Sequence, residues 1–192
     1  MNKKLEKISR ELCFILRHDM TNQNLKNDER GFVKLRDMYT MSELSNNEIQ
    51  FIVESCSKKR FDLDIRDGEY FIRANQGHSN YVGLNIDANL IYESITSPLG
   101  FCAHGTINKY MKSILENGLQ RKNRKYIHFV SEISKDKQIS GFKSESNIII
   151  VIDMKKCLEA GIKFYKSSNG VILSDGIDGT IDPSFFEKIE HI

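Results

Sequence analysis

The sequence has no apolar run approaching the ~20 residues that cross a bilayer, so no membrane-spanning helix and no membrane partner are expected. Its start, Met1-Asn2-Lys3-Lys4-Leu5-Glu6, has no apolar stretch of the signal-peptide kind, and a cytoplasmic protein is expected. Cysteine is sparse. Cys13, Cys56, Cys102 and Cys157 are scattered, with none of the short spacings of a zinc knuckle or redox pair, so they are expected as buried thiols in a reducing compartment. His18, His78, His104, His128 and His191 include no pair at the i, i+4 spacing of a helical zinc site, so no metal is expected. A Walker-type loop, a G-x-G-x-x-G fingerprint and a G-x-S-x-G elbow are all missing, and no cysteine lies beside a histidine. A nucleophilic Ser or Cys site is therefore not suggested. The formal net charge of +2 is too small to prove a nucleic-acid partner.

What is there suffices for a packed core. Hydrophobic residues make up 40% and charged residues 28% of the 192 positions, enough for one large domain or two small ones. Leu5, Ile8, Leu12, Ile15 and Leu16 recur at helical spacing and predict a helix over 3–18. Gly31 to Leu35 reads as a short extended piece leading into a brief helix. Ser45-Asn46-Asn47-Glu48 has the form of a capping box, and Ile49, Ile52, Val53 and Cys56 follow at i, i+3, i+4 and i+7. Phe61, Leu63 and Ile65 alternate with Asp62 and Asp64, Asp67-Gly68 supplies a turn, and Tyr70-Phe71-Ile72 returns as the second arm of a hairpin. Helices followed by a hairpin suggest a winged helix over residues 1 to about 75.

The second half reads differently. Strands are expected at Tyr81–Leu84, Phe101–His104, Ile127–Val130, Ile148–Ile152 and Gly170–Leu173. Helices are expected at Asn108–Asn117, ended by Gly118, and at Asp153–Ala160, ended by Gly161. Short helices among predominant strands indicate a compact α+β domain. The join falls in 76–90.

Basic residues cluster locally. Lys3, Lys4, Lys7, Arg10 and Arg17 load the first helix, and Lys58-Lys59-Arg60 and Arg121-Lys122-Asn123-Arg124-Lys125 form two knots. Any one cluster reads first as a solvated face; together they point to a phosphate-bearing partner. Arg17 and His18 put a planar cationic fork beside a proton-shuttling group, although cations at a helix C-terminus need no further reason. The run Ile72-Arg73-Ala74-Asn75-Gln76-Gly77-His78-Ser79 suits either a loop for a polar ligand or a polar linker. His104-Gly105-Thr106 leads from a strand into a helix, where glycine admits a ligand to the backbone and a helix N-terminus favours an anion.

Taken in order, these pieces resemble the RNA 2'-phosphotransferase family. The likeness runs from Ile15-Leu16-Arg17-His18 through Gly31-Phe32-Val33, Lys59-Arg60-Phe61 and Arg73-Ala74-Asn75-Gln76-Gly77-His78-Ser79. It continues through His104-Gly105-Thr106, Gly118-Leu119, Arg124, Ile127-His128 and Asn169-Gly170-Val171, nearly the whole chain. The heptad 73–79 and the collinear order carry the specificity; His-Gly-Thr alone would suggest only the wider ADP-ribosyltransferase group.

The resemblance implies an α+β protein with an amino-terminal winged-helix lobe over 1–80 that holds RNA. The carboxy-terminal lobe, 81–192, would have an ADP-ribosyltransferase-like fold and bind NAD⁺. It implies a catalytic tetrad of Arg17, His18, Arg60 and Arg124. His104, Gly105, Thr106 and His128 are assigned to NAD⁺, as are Val171 and the polar residues Asn75, Gln76, Gly77, His78 and Ser79. Gly141-Phe142-Lys143 departs from the family's Gly-x-Arg, and Ile172 stands where an aromatic is common.

The implied partners are NAD⁺, as co-substrate, and RNA carrying an internal 2'-phosphate, such as tRNA, with the protein a monomer. In the implied reaction the 2'-phosphate displaces nicotinamide from the anomeric carbon of the ribose. The neighbouring 2''-hydroxyl then attacks the phosphate. The products are RNA with a free 2'-hydroxyl and ADP-ribose 1'',2''-cyclic phosphate. Two alternatives stay open: an ADP-ribosyltransferase that caps terminal phosphates of nucleic acid, and an inactive winged-helix RNA-binding protein.

Overall fold

A computed structural model describes residues 3–38, 44–132 and 145–192. The chain divides into two compact units, Met1–Ile91 and Tyr92–Ile192.

In the first unit, helix α1 (Lys3–Phe14) continues into a π-helical turn, Ile15–Asp19, where the sequence predicts one uninterrupted helix to residue 18. The apolar stripe is as expected: Leu12, Ile15 and Leu16 are buried. The wider turn is invisible to a pattern of apolar positions because it changes the number of residues per turn without changing which residues are apolar. Strand β1 (Val33–Lys34) is followed by a 3₁₀ turn, Leu35–Asp37. Helix α2 (Asn46–Glu54) carries the capping box: the Ser45 side chain accepts from the Glu48 amide and the Glu48 carboxylate accepts from the Ser45 amide.

Strands β2 (Phe61–Arg66) and β3 (Glu69–Ala74) form the hairpin, with Asp67 and Gly68 both at positive φ, as its tight turn requires. The sheet order is β1-β3-β2, and both pairings are antiparallel. Its core joins Leu12 and Leu16 of the first helical segment to Ile49, Ile52, Phe61 and Ile72. On the sheet, Arg66 and Arg73 lie over the Phe32 ring at 5.0 and 4.8 Å, and each is ion-paired to aspartate, Arg66 to Asp28 and Asp64, Arg73 to Asp62. These arginines therefore build the fold.

The expected strand at Tyr81–Leu84 is instead a 3₁₀ turn, Val82–Asn85. Local bonds satisfy this backbone: the Gly83 amide donates to the Ser79 carbonyl and the Ile86 amide to that of Gly83. Val82 joins the core of the first unit, and helix α3 (Ala88–Ile91) closes it.

The second unit is built from antiparallel sheets. One has the order β4-β9-β10-β7, from Glu93–Ile95, Phe164–Lys166, Ile172–Ser174 and Ile127–Phe129. Another has the order β12-β8-β5, from Phe186–His191, Ile148–Ile152 and Ala103–Thr106, and β6 (Leu119–Gln120) pairs with β11 (Thr180–Ile181). Ala103 and Val130 exchange backbone hydrogen bonds at 3.0 and 2.9 Å and link β5 to the end of β7.

Strand β8 explains the unbroken Ile148-Ile149-Ile150-Val151-Ile152 run. Ile148, Ile150 and Ile152 enter one core cluster while Ile149 and Val151 enter a second, so both faces are buried. Helix α4 (Asn108–Asn117) has the predicted limits. Gly118 follows at φ +74°, where a Cβ would lie 2.5 Å from the Ile181 carbonyl oxygen, so no other residue fits without moving β11. Helix α5 (Met154–Glu159) is capped by the Asp153 side chain. Two expected strands are displaced along the chain: β5 starts at Ala103 rather than Phe101, and Gly170, at φ +81°, belongs to a turn before β10.

Among the described residues no helix is long and apolar enough to cross a membrane. No cysteine is disulfide-bonded; burial pushes the Cys102 thiol pKa upward and that of Cys157 up to about 12, so neither is a ready thiolate.

Candidate active site

The π turn brings Arg17 and His18 to one cavity of about 260 Å³, which Arg60 also lines together with Ser9, Arg10, Cys13 and Phe14. Its chemistry is cationic, with three arginines and a histidine and no carboxylate in the lining. A second cavity of about 200 Å³ in the same unit is lined by Met20, Thr21, Asn24, Leu25, Asn27, Tyr81, Val82 and Asn85, and it offers no charged group to an anion.

Three residues of the heptad 73–79 hold this arrangement. The Ser79 hydroxyl lies 2.7 Å from His18 Nδ1, and the Ser79 amide donates to the Arg17 carbonyl at 2.8 Å. Gly77, at φ +91°, lies under the Arg17 side chain: a Cβ there would come within 3.2 Å of Nε and Cζ and would push the guanidinium aside by a few tenths of an ångström. The Asn75 side chain donates to the carbonyls of Lys59 at 2.9 Å and Phe61 at 3.2 Å, while its amide donates to the Arg60 carbonyl at 2.8 Å. Asn75 thereby clamps the backbone on both sides of Arg60. Lys59, at φ +42°, is the strained residue that this clamp retains.

Arg60 is further fixed by Nη1, which donates to Cys56 Sγ at 3.3 Å. Asn75, Gln76, His78 and Ser79 are all buried, and of these Asn75 and Ser79 bond to the segments that carry Arg60, Arg17 and His18. Arg73 is likewise buried and bonded to Asp62 and the Arg30 carbonyl.

In the second unit, β5 carries His104, Gly105 and Thr106, with His104 and Gly105 half-buried and Thr106 buried. His104 Nδ1 lies 2.9 Å from the His128 carbonyl oxygen, and its ring meets Phe129 edge-on at 6.0 Å, which fixes the imidazole's orientation. His128 is buried in β7, opposite Leu173 of β10. Val171 is fully buried, and its carbonyl accepts from the Ser167 amide and hydroxyl, both at 3.0 Å. Arg124 is exposed on a turn whose closure uses Arg121: Arg121 Nη1 donates to the Arg124 carbonyl at 3.3 Å, and the Arg124 amide to that of Arg121 at 3.1 Å. Gly141, Phe142 and Lys143 lie outside the described residues.

Sequence reasoning missed Phe14, Cys13 and Ser9 in the cavity. The signal was available, because Arg10 and Phe14 precede Arg17 and His18 at helical spacing. It also missed Tyr81, whose hydroxyl donates to the His18 carbonyl, and the packed tyrosines Tyr92, Tyr126 and Tyr165 of the second unit. No local pattern marks either.

Residues 3–176 match the profile of the RNA 2'-phosphotransferase, Tpt1 / KptA family. The chain belongs to that family. Among its relatives, the Danio rerio "tRNA 2'-phosphotransferase 1" is 30% identical over 97% of this chain and 85% of its own length. The Flavobacterium johnsoniae "Probable RNA 2'-phosphotransferase" is 32% identical over 92% of this chain and 95% of its own. A longer Schizosaccharomyces pombe relative is 30% identical over 95% of this chain, which spans only half of that protein.

Proposed function

We propose that this family member transfers an internal RNA 2'-phosphate to NAD⁺, leaving a 2'-hydroxyl on the RNA and forming nicotinamide and ADP-ribose 1'',2''-cyclic phosphate. The observation that carries the reading is the convergence of Arg17, His18 and Arg60 on one cavity, each held by a residue of the 73–79 loop. The relatives named for tRNA support a tRNA carrying an internal 2'-phosphate as substrate.

In this reading residues 1–80 act as a winged-helix RNA-binding lobe. Support comes from the helices and antiparallel hairpin of the first unit. The second unit, Tyr92–Ile192, acts as an ADP-ribosyltransferase-like lobe in which the half-buried His104 and Gly105 meet NAD⁺ and the buried Thr106, His128 and Val171 build the scaffold that carries them. The half-buried Gly105 has no side chain to keep a ligand from the strand backbone, and the His128 carbonyl orients His104. The buried positions of Asn75, Gln76, His78 and Ser79 support a positioning role for the loop, in place of direct NAD⁺ contact.

NAD⁺ supplies an anomeric carbon whose leaving group departs neutral. The attacking phosphate is already an anion, so the first step needs alignment more than a strong acid or base. Arg17 and Arg60 present guanidinium forks that fix the phosphate oxygens, and His18, oriented by Ser79, stands beside them. In the second step charge builds on the equatorial phosphate oxygens, where guanidinium groups stabilise it; the family likeness assigns Arg124 to this role as well.

The test is incubation with NAD⁺ and an RNA bearing a single internal 2'-phosphate. Nicotinamide is released only when both are present, cyclic phosphate accumulates, and excess EDTA leaves turnover unchanged because guanidinium groups carry the charge. A stable ADP-ribosylated RNA as sole product, or binding without turnover, would overturn the reading.

A further inference from the structure

The lining of the cationic cavity includes a residue with no part in the chemistry above. Phe14 is 57% exposed, an unusual position for a large aromatic on a helix whose other apolar residues are buried or half-buried. Its ring centroid lies 5.7 Å from that of His18, at an interplanar angle of 54°. Arg10, exposed one turn earlier on α1, lines the same cavity. Cations at one end, an open aromatic face beside them and a further cation along the helix make up the pattern that binds a single nucleic-acid strand.

Taking the phosphate reading of this cavity as given, we propose that Phe14 is the platform on which the nucleobase of the 2'-phosphorylated nucleotide stacks, and that Arg10 binds the adjoining phosphodiester. The covalent geometry of a nucleotide selects that base. The 2'-phosphate hangs on C2', the base on the neighbouring C1' and the 3'-phosphodiester on the neighbouring C3'. A phosphate gripped by Arg17, His18 and Arg60 thus carries its own base within reach of a ring next to His18. Every base has a π face, so Phe14 adds affinity for a strand without restricting its sequence.

The experiment compares two short oligoribonucleotides, each with one internal 2'-phosphate. One is intact and the other is abasic at the phosphorylated nucleotide. Dissociation constants are measured by fluorescence anisotropy without NAD⁺. The wild-type protein binds the intact strand tighter than the abasic one by roughly 5- to 150-fold, the range of one stacked base. Phe14→Ala abolishes that preference and binds both strands as the wild type binds the abasic one, whereas Phe14→Trp retains it. Arg10→Ala lowers the slope of log affinity against log salt by about 0.7 on both strands. A preference that survives Phe14→Ala, or equal weakening of both strands, overturns the role of Phe14. An unchanged salt slope overturns that of Arg10. Failure of the function itself reads separately, as wild-type binding that ignores the 2'-phosphate or absence of nicotinamide release when NAD⁺ is added.

Discussion

Arg60 is constrained from several directions before any ligand arrives: its backbone by Asn75 and its guanidinium by the Cys56 sulfur. Such preorganisation matters because a phosphate is gripped bidentately by a fork and only as a point charge by an ammonium. Arg60→Lys keeps the charge but loses the fork. Turnover of 2'-phosphorylated RNA is expected to fall by about tenfold or more, the equivalent of one charge-assisted hydrogen bond. Wild-type rates in that variant would reduce Arg60 to a distant charge. Ser79 poses a related question, since its hydroxyl touches His18 while the family likeness assigns it to NAD⁺. Ser79→Ala leaves a partly buried imidazole nitrogen without its hydroxyl, and kcat is expected to drop by about 5- to 100-fold. The Kd for NAD⁺, measured by calorimetry, should stay at the wild-type value. A weakened NAD⁺ Kd with kcat preserved would instead mark Ser79 as a cofactor contact.

Elements were legible in the sequence where one physical signal dominated. The capping box set the start of α2, Asp67-Gly68 set the hairpin turn, and Gly118 set the end of α4. Each depends on residues within a few positions of each other. Strands β4 and β9 escaped because three-residue segments gain their backbone hydrogen bonds from distant partners, and Glu93-Ser94-Ile95 carries no periodicity of its own. The π turn escaped because it alters geometry without altering pattern. The convergence of Arg17, His18 and Arg60 could be anticipated only through family likeness, since a loop far along the chain draws them together. The capping box gives a prediction at this scale. Ser45→Ala removes an N-cap worth about 1 kcal/mol, read as a lower denaturation midpoint. Hydrogen bonds from Ser45 hold the Glu48 carboxyl below its ordinary 4.5. A lowered folded-state pKa contributes stability that is full above pH 4.5 and lost as pH falls below it. The destabilisation caused by Glu48→Ala is therefore expected to shrink in denaturant titrations below pH 4.5. A cost that is constant with pH would show that the carboxylate's charge contributes nothing to the cap.

At the scale of the whole molecule, it is the family likeness that assigns the proposed chemistry to residues of both units. Arg17, His18 and Arg60 belong to the first, and Arg124 to the second. The two steps make different demands on them. Nicotinamide departure needs an aligned phosphate, a task the proposal gives to the first unit's cations. The later attack on phosphorus builds negative charge on the phosphate oxygens as the RNA oxygen leaves, and a further cation helps most there. Arg124 suits this role because the turn that carries it is closed by Arg121, leaving the Arg124 side chain at an exposed position. Removing one positioned stabilising donor commonly costs about 10²–10³ in rate. If that cost falls mainly on the second step, Arg124→Ala will release nicotinamide at a rate near wild type yet accumulate RNA bearing an ADP-ribosylated 2'-phosphate. Arg121→Ala, which disturbs the turn alone, should slow both steps modestly and trap nothing. Gel analysis of a single-turnover time course separates the species by the size of the adduct. Wild-type kinetics in Arg124→Ala, with no trapped adduct, would assign Arg124 to the solvated basic turn and require the third cation to come from another residue.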